Sequence, residues 1–171
     1  MNEEKLLVDQ FDSPVGRLCL AVNEHGVIRQ LTWSRDLLPR VELVKAVRNP
    51  FNLRVRLDSY FKGNVGVLDE LEAEGVGTPF QRRVWSALRA IPVGTTTTYQ
   101  RIAIDLGKPT AMRAVGGANH VNPIGIVVPC HRVIGRDGSL TGYAGGLERK
   151  AWLLAHEARH APARPGQQLA L

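Results

Sequence analysis

The sequence predicts an α+β fold, with a small strand-rich first half and a mainly helical second half that carries a helix-turn-helix. Three observations predict it. Short apolar runs broken by proline and glycine turns open the chain, helix-spaced apolar positions dominate after residue 78, and charge changes sign between the halves. Residues 1–77 hold 10 Lys and Arg against 12 Asp and Glu, whereas residues 78–171 hold 12 against 4. A basic half draws polyanions through its long-range field, which makes nucleic acid a candidate partner before any motif is read.

In the first half, residues 6–11 and 18–22 read as strands of a hairpin, because Ser13-Pro14-Val15-Gly16 between them is a turn by composition. A third strand is expected over residues 27–33, after Asn23-Glu24-His25-Gly26. Residues 51–61 carry Leu53, Leu57 and Phe61 at helical spacing. No cluster of acids, histidines or cysteines suggests chemistry here, and Cys19 reads as a small core residue. The acidic stretch 70–77 ends in Gly75-Val76-Gly77 and is expected to be a linker, which gives a first domain and linker over 1–77 and a second domain over 78–157.

The second half opens on a well-signalled helix. Thr78 can cap it, Pro79 suits its first turn, and Phe80, Val84, Trp85 and Leu88 form one apolar face that ends near Pro92. After Val93-Gly94 and a threonine run come Tyr99 and two short helices, residues 100–106 and 110–119, separated by Gly107-Lys108-Pro109, at helix-turn-helix spacing. The second helix is poor in side chains that read base edges and rich in glycine, at a cost of about 1 kcal/mol each. Either it packs tightly within the domain, with Arg113 on the surface, or something outside comes very close. Residues 158–171, rich in Arg, Pro, Gly and Gln, read as a disordered tail.

Residues 124–128 read as a buried strand, so that Cys130 and His131 emerge just past Pro129 at its end. An ordinary thiol, with a pKa of about 8.5, is mostly protonated at neutral pH, so a nucleophilic cysteine needs a base or a positive field nearby. Neighbours on a strand face opposite ways, and His131 would need a bend or a water to reach the sulfur.

The stretch from Thr78 to Glu157 resembles the O6-alkylguanine-DNA alkyltransferase family. The resemblance rests on Thr78-Pro79-Phe80-Gln81, Ile91-Pro92, Gly94, Tyr99, Arg113-Ala114-Val115-Gly116, Asn122-Pro123, Pro129-Cys130-His131-Arg132-Val133, Gly142-Tyr143-Ala144-Gly145-Gly146 and Trp152-Leu153-Leu154 through Glu157. Ser13-Pro14-Val15-Gly16 is similar to the family's opening turn, while the rest of the first half is only loosely similar. The resemblance implies a ribonuclease H-like α/β domain beside a helical, DNA-binding catalytic domain. It implies direct, single-turnover transfer of an alkyl group from O6 of guanine in DNA to Cys130, without a cofactor.

By the same resemblance, Glu157 orients His131, His131 takes the Cys130 proton through a water, Tyr99 assists departure of the base and Asn122 holds the loop around the sulfur. Carbonyls of Cys130 and Val133 receive the guanine amino group, the Ala144 N–H faces O6 and Tyr143 belongs to the pocket lid. Arg113 takes the place of a flipped-out nucleotide, and Thr110, Ala114 and Gly116 face the minor groove of double-stranded DNA. Trp152 is expected to be core.

Other classes are less well supported. No apolar run approaches the roughly 20 residues that span a bilayer, and the first residues lack a signal-peptide core, so a soluble, cytoplasmic, monomeric protein is expected, one able to load cooperatively on DNA. Asn23 and Ile28 stand where zinc-binding relatives have Cys and His, which predicts no metal. A damage sensor of the same fold would lack the cysteine, a helix-turn-helix regulator would show a dimer seam, and a cysteine hydrolase would need an oxyanion hole that no motif supplies.

Overall fold

The computed structural model describes residues 4–34 and 44–163. Strands β1 (Leu6–Ser13), β2 (Gly16–Asn23), β3 (Ile28–Thr32) and β4 (Val44–Ala46) form one sheet in the order β3-β2-β1-β4, antiparallel except where β4 runs parallel to β1. The hairpin turns at Pro14-Val15, where Ser13 Oγ donates to the Gly16 carbonyl (2.6 Å) and Gly16 adopts φ +101°, a conformation side chains resist. Leu18, Leu20 and Val22 alternate on the face that meets the helices; Cys19 and Ala21 point the other way.

Helix α1 (Leu53–Phe61) starts two residues later than its apolar spacing predicts. Asn49, Phe51 and Asn52 all take positive φ, and Pro50–Asn52 is a 3-10 turn, so the chain reverses before it can wind. Leu53, Leu57 and Tyr60 are buried, and Tyr60 rather than Phe61 is the aromatic ring sealed in the core.

Helix α2 (Pro79–Arg89) begins as the sequence indicates, in a capping box where Thr78 Oγ1 accepts the Gln81 N–H and Gln81 returns the favour to the Thr78 N–H. Strand β5 (Thr97–Thr98) leads into α3 (Tyr99–Asp105), whose N-terminus Thr98 caps. Helix α4 (Met112–His120) starts after a backbone-closed turn from Lys108 to Ala111, which leaves Thr110 outside the helix. Trp85 Nε1–H donates to the Ala118 carbonyl and locks α4 onto α2.

The expected strand over residues 124–128 does not form. Local bonds close the segment on itself: Val127 N–H donates to the Gly125 carbonyl (2.8 Å), Val128 N–H to Ile124 (2.9 Å) and Cys130 N–H to Val128 (2.8 Å). Its apolar run reflects burial in a turn, an ambiguity that short runs always carry. Ile126 sits there at φ +69°, a costly state for a β-branched residue. A 3-10 turn at Cys130–Arg132 follows, then β6 (Val133–Ile134), which pairs with β5, and α5 (Leu147–His160). Helix α5 continues past Glu157 to His160, so the tail expected from residue 158 begins as helix; residues 164–171 lie outside the described residues.

One hydrophobic core runs from Phe11 in β1 to Leu153 in α5. The stretch expected to be a linker is part of this architecture, because Ile28 N–H donates to the Glu72 carbonyl and Glu74 N–H donates back to Ile28 (both 2.9 Å). Further along the same edge, Leu31 N–H donates to the Pro123 carbonyl and Gly125 N–H to Leu31 (both 2.9 Å). Strand β3 thus splints the turn that leads to Cys130.

Candidate active site

Asn122 leaves the end of α4 and shapes the loop with its amide. Its Oδ1 accepts the Ile124 N–H (3.0 Å), and its Nδ2 donates to the Val128 carbonyl (2.9 Å) and to the Cys130 sulfur (3.1 Å). A donor at sulfur favours the thiolate, but burial outweighs it. Burial pushes the Cys130 thiol up to about 11, with Asn122 and the positive charge of Lys150 pulling the other way. At rest the group is a neutral thiol.

The 3-10 turn frees Cys130 and His131 from the opposite-face constraint of a strand. His131 is wholly buried, with Nε2 2.8 Å from Glu157 Oε1. A carboxylate only accepts, which assigns the ring proton to Nε2 and leaves Nδ1 as an acceptor, buried and without a protein partner. Burial holds the imidazole below its ordinary range, against the pull of Glu157.

Glu157 is the most heavily bonded group of the cluster. Besides the His131 ring it accepts Tyr60 Oη–H at Oε1 (2.8 Å), Arg132 Nη2–H at Oε1 (2.9 Å) and Arg132 Nε–H at Oε2 (2.8 Å). Burial alone would raise this carboxyl, but His131 and Arg132 hold it well below the usual carboxylate range. Arg132 also donates through Nη1 to the Ile91 carbonyl (2.6 Å). The base, its carboxylate and the guanidinium form one buried network.

The carbonyls singled out in the sequence already hold donors of the protein. Val133 accepts from buried Lys150 Nζ, which also donates to Thr141 (2.8 Å), and Cys130 accepts from the Val133 N–H and, at 3.5 Å, from Asn119 Nδ2. A carbonyl oxygen has two lone pairs, and at Cys130 a further donor has to displace the long bond from Asn119. Cys130, Tyr143 and Ala144 line a cavity of about 650 Å3, together with Asn122, Gln30 and Trp33. Tyr143 Oη is buried there without a partner.

Tyr99 lines an adjoining cleft with Met112, Gly116, His120, Thr141 and Gly142, and its hydroxyl donates to the Thr141 carbonyl (3.0 Å). It is near enough to Cys130 for a thiolate there to add to the rise that burial causes in its pKa. Thr110, Arg113 and Ala114 are exposed on and before α4, and Gly116 is half-buried. Side chains at the two helix glycines would fit the protein itself: a Cβ at Gly117 would meet nothing within 4 Å, and one at Gly116 would touch Tyr99 at 3.9 Å. Internal packing does not impose these glycines.

Four side chains of this site carried no role in the sequence. Arg132 and Lys150 could have been found as charges inside apolar stretches, which demand partners when buried. Tyr60 and Trp33 gave no signal beyond ordinary apolar spacing. Trp152, expected to be core, is only partly buried at the edge of the core, stacked on His156 (4.8 Å) beside Phe61. Among the described residues no group of three or more His, Cys, Asp or Glu could hold a metal ion, and no helix is long and apolar enough to cross a membrane.

Comparison with known proteins places this arrangement. The methylated-DNA–protein-cysteine methyltransferase of Salmonella typhimurium is 49% identical over 165 residues, covering 90% of this chain and 96% of the relative. The chain belongs to the methylated-DNA–protein-cysteine methyltransferase family. A profile described as "6-O-methylguanine DNA methyltransferase, DNA binding domain" matches residues 79–159, the helical half of this methyltransferase family member. The crystal structure of a variant of the Mycobacterium tuberculosis O6-methylguanine methyltransferase superposes with a TM-score of 0.78 at 42% identity, over 95% of this chain and 97% of that one. A structure of Mycobacterium tuberculosis OGT in complex with DNA gives 0.77 at 42% identity, over 92% and 96%. The α+β architecture of a small sheet unit and a helical unit is therefore that of the methyltransferase family.

Proposed function

We propose that this protein repairs DNA by moving an alkyl group from O6 of guanine to the Cys130 sulfur, once per molecule. The observation that carries this function is one set of three groups: Cys130 lining an open cavity, the partnerless Nδ1 of the buried His131 next to it in the chain, and Glu157 held by four hydrogen bonds, one of them to the His131 ring. A water between Nδ1 and the thiol passes the proton to His131 as the sulfur bonds to the alkyl carbon and the carbon–oxygen bond breaks. The electron pair stays on guanine. Tyr99 gives its hydroxyl proton to the departing base, which leaves neutral; the His131 imidazolium returns the thiol's proton through solvent to the Tyr99 oxygen, so the proton lost at sulfur equals the one gained by guanine.

Asn122 holds the nucleophile in line, and Glu157 keeps His131 in the productive tautomer. Val133 and Cys130 offer their carbonyls to the guanine amino group, which at Cys130 takes the place of the long bond from Asn119, while Ala144 N–H and Tyr143 enclose O6 and the ring. The target nucleotide must first leave the duplex. Exposed Arg113 fills its place from the minor groove, and Thr110, Ala114 and Gly116 allow the backbone of α4 to approach, in keeping with glycines that internal packing does not require. A single chain suffices for this chemistry, since every group named comes from one copy.

The thioether formed has no carbonyl for water to attack, so the protein is consumed. Excess duplex containing O6-methylguanine should give a burst ending at one equivalent, with one methylene added in mass on the peptide holding Cys130. Cys130→Ala should bind without transferring, and Cys19→Ala should behave as the parent. Continued turnover, or a methyl group on another residue, overturns the proposal.

A further inference from the structure

The cavity at Cys130 is not built by the helical half alone. Trp33, just past the end of β3, is part of its wall. Three contacts fix this indole: Nε1–H donates to the Val15 carbonyl (3.0 Å), the Arg149 guanidinium lies over the ring (5.3 Å to its centre), and Tyr143 meets it edge-on (5.8 Å between centroids). Arg149 Nε–H donates to the same Val15 carbonyl (2.7 Å) and its Nη1 to Gly145 (2.8 Å), so the hairpin turn of the first half clamps both the ring and the cation covering it.

The ring also touches backbone on two sides of the cavity. A Cβ at Gly145, in the lid, would lie 2.8 Å from Trp33 Cζ3, and one at Gly125, in the turn leading to Cys130, would lie 3.1 Å from it. Both positions are glycine where the indole takes the room a side chain would need. Trp33 is nonetheless only partly buried, because the remainder of the ring borders the open cavity. A large apolar ring held by three contacts in the wall of the cavity that Cys130 also lines limits the volume left for a group at that sulfur.

We propose that Trp33 sets the size of the alkyl group this protein accepts, so that the first half of the chain determines substrate range. This rests on the alkyl-transfer function proposed above. Shortening the side chain opens the cavity toward β3, while the Val15 carbonyl keeps its bond from Arg149 and the turn stays satisfied.

Transfer rates should be measured on duplexes carrying either O6-methylguanine or O6-benzylguanine at one position, for the parent, Trp33→Phe, Trp33→Leu and Trp33→Ala, with thermal melts alongside. The benzyl-to-methyl rate ratio should rise as the side chain shrinks, by about tenfold or more for Trp33→Ala, the scale on which apolar pockets discriminate. Should the alanine variant fail to fold, Trp33→Phe and Trp33→Leu carry the same graded expectation. A ratio unchanged across the variants, even with both rates reduced together, means that Trp33 only packs and overturns the proposal. A parent protein that alkylates Cys130 from neither duplex would instead remove the alkyl-transfer function itself.

Discussion

The Tyr60 hydroxyl donates to Oε1 of Glu157 at 2.8 Å across 97 positions of sequence, on the same oxygen that takes the His131 ring proton. The sheet-bearing half thus reaches directly into the hydrogen-bond network behind the thiol. Tyr60→Phe should cost about 1–3 kcal/mol of stability, because a buried charged acceptor loses one donor. Urea denaturation checks this. Glu157 keeps Arg132 and His131, so transfer should slow less in this variant than in His131→Gln.

His131→Gln and Glu157→Gln should both leave affinity for DNA unchanged while slowing transfer, since neither group faces the duplex. They should differ in stability. Glu157→Gln leaves the buried Arg132 guanidinium without its carboxylate, a loss on the order of 3–5 kcal/mol, whereas His131→Gln breaks no such ion pair. Binding isotherms, single-turnover rates and chemical melts on the same two proteins separate these effects. Equal destabilisation would contradict the network described.

The pH dependence of stability follows from two depressed groups. Folded His131 resists protonation, so as pH falls below about 6.5 the unfolded chain takes up a proton that the folded one refuses, and stability declines. Glu157 adds a second decline below about 4.3, because its folded form stays ionised when the unfolded carboxyl protonates. Both contributions are fully present above these values. Denaturation midpoints measured from pH 8 downward, at about half-unit steps, should show both breaks, with the lower one missing in Glu157→Gln.

Burial of Cys130 makes a separate pH prediction. In the free protein its alkylation by iodoacetamide should rise through a midpoint near 11, well above that of an exposed thiol. Asn122→Ala removes the donor to sulfur and should move the midpoint higher still. A midpoint below neutrality would show that the resting group is already a thiolate, and one near that of a free thiol would show that burial does not govern it.

Arg113→Ala should slow repair in duplex DNA much more than reaction with free O6-benzylguanine, which needs no nucleotide to be displaced. Binding should also fall steeply with salt, because the basic half offers charge and few base-reading groups. Equal loss on both substrates would remove Arg113 from the flipping step.

The hairpin, the capped α2 and the helix pair were legible because each rests on local chemistry: a proline-glycine turn, a Thr78-to-Gln81 box, a break at Gly107. The turn at residues 124–128 was not, because burial writes the same apolar run into a strand and into a buried bend, and only Ile126 in the left-handed region distinguishes them. Cys130, His131 and Glu157 stood out through motif context, whereas Tyr60 and Trp33 act through tertiary contacts that no spacing encodes. Strand β4 is three residues long and pairs in parallel with β1, a long-range partnership without a turn to announce it.

The bonds behind Cys130 also bear on when the protein becomes reactive. Glu157 lies 26 positions beyond His131, and Arg149, which clamps the Trp33 wall, lies 134 beyond Val15. Such distant pairings close late, after most of the chain has collapsed. A nascent chain that has cleared the ribosome only as far as Lys150 has no Glu157 to fix His131, and its Cys130 is an ordinary thiol. On the single-turnover function proposed above, competence arrives with α5, the last of the described helices.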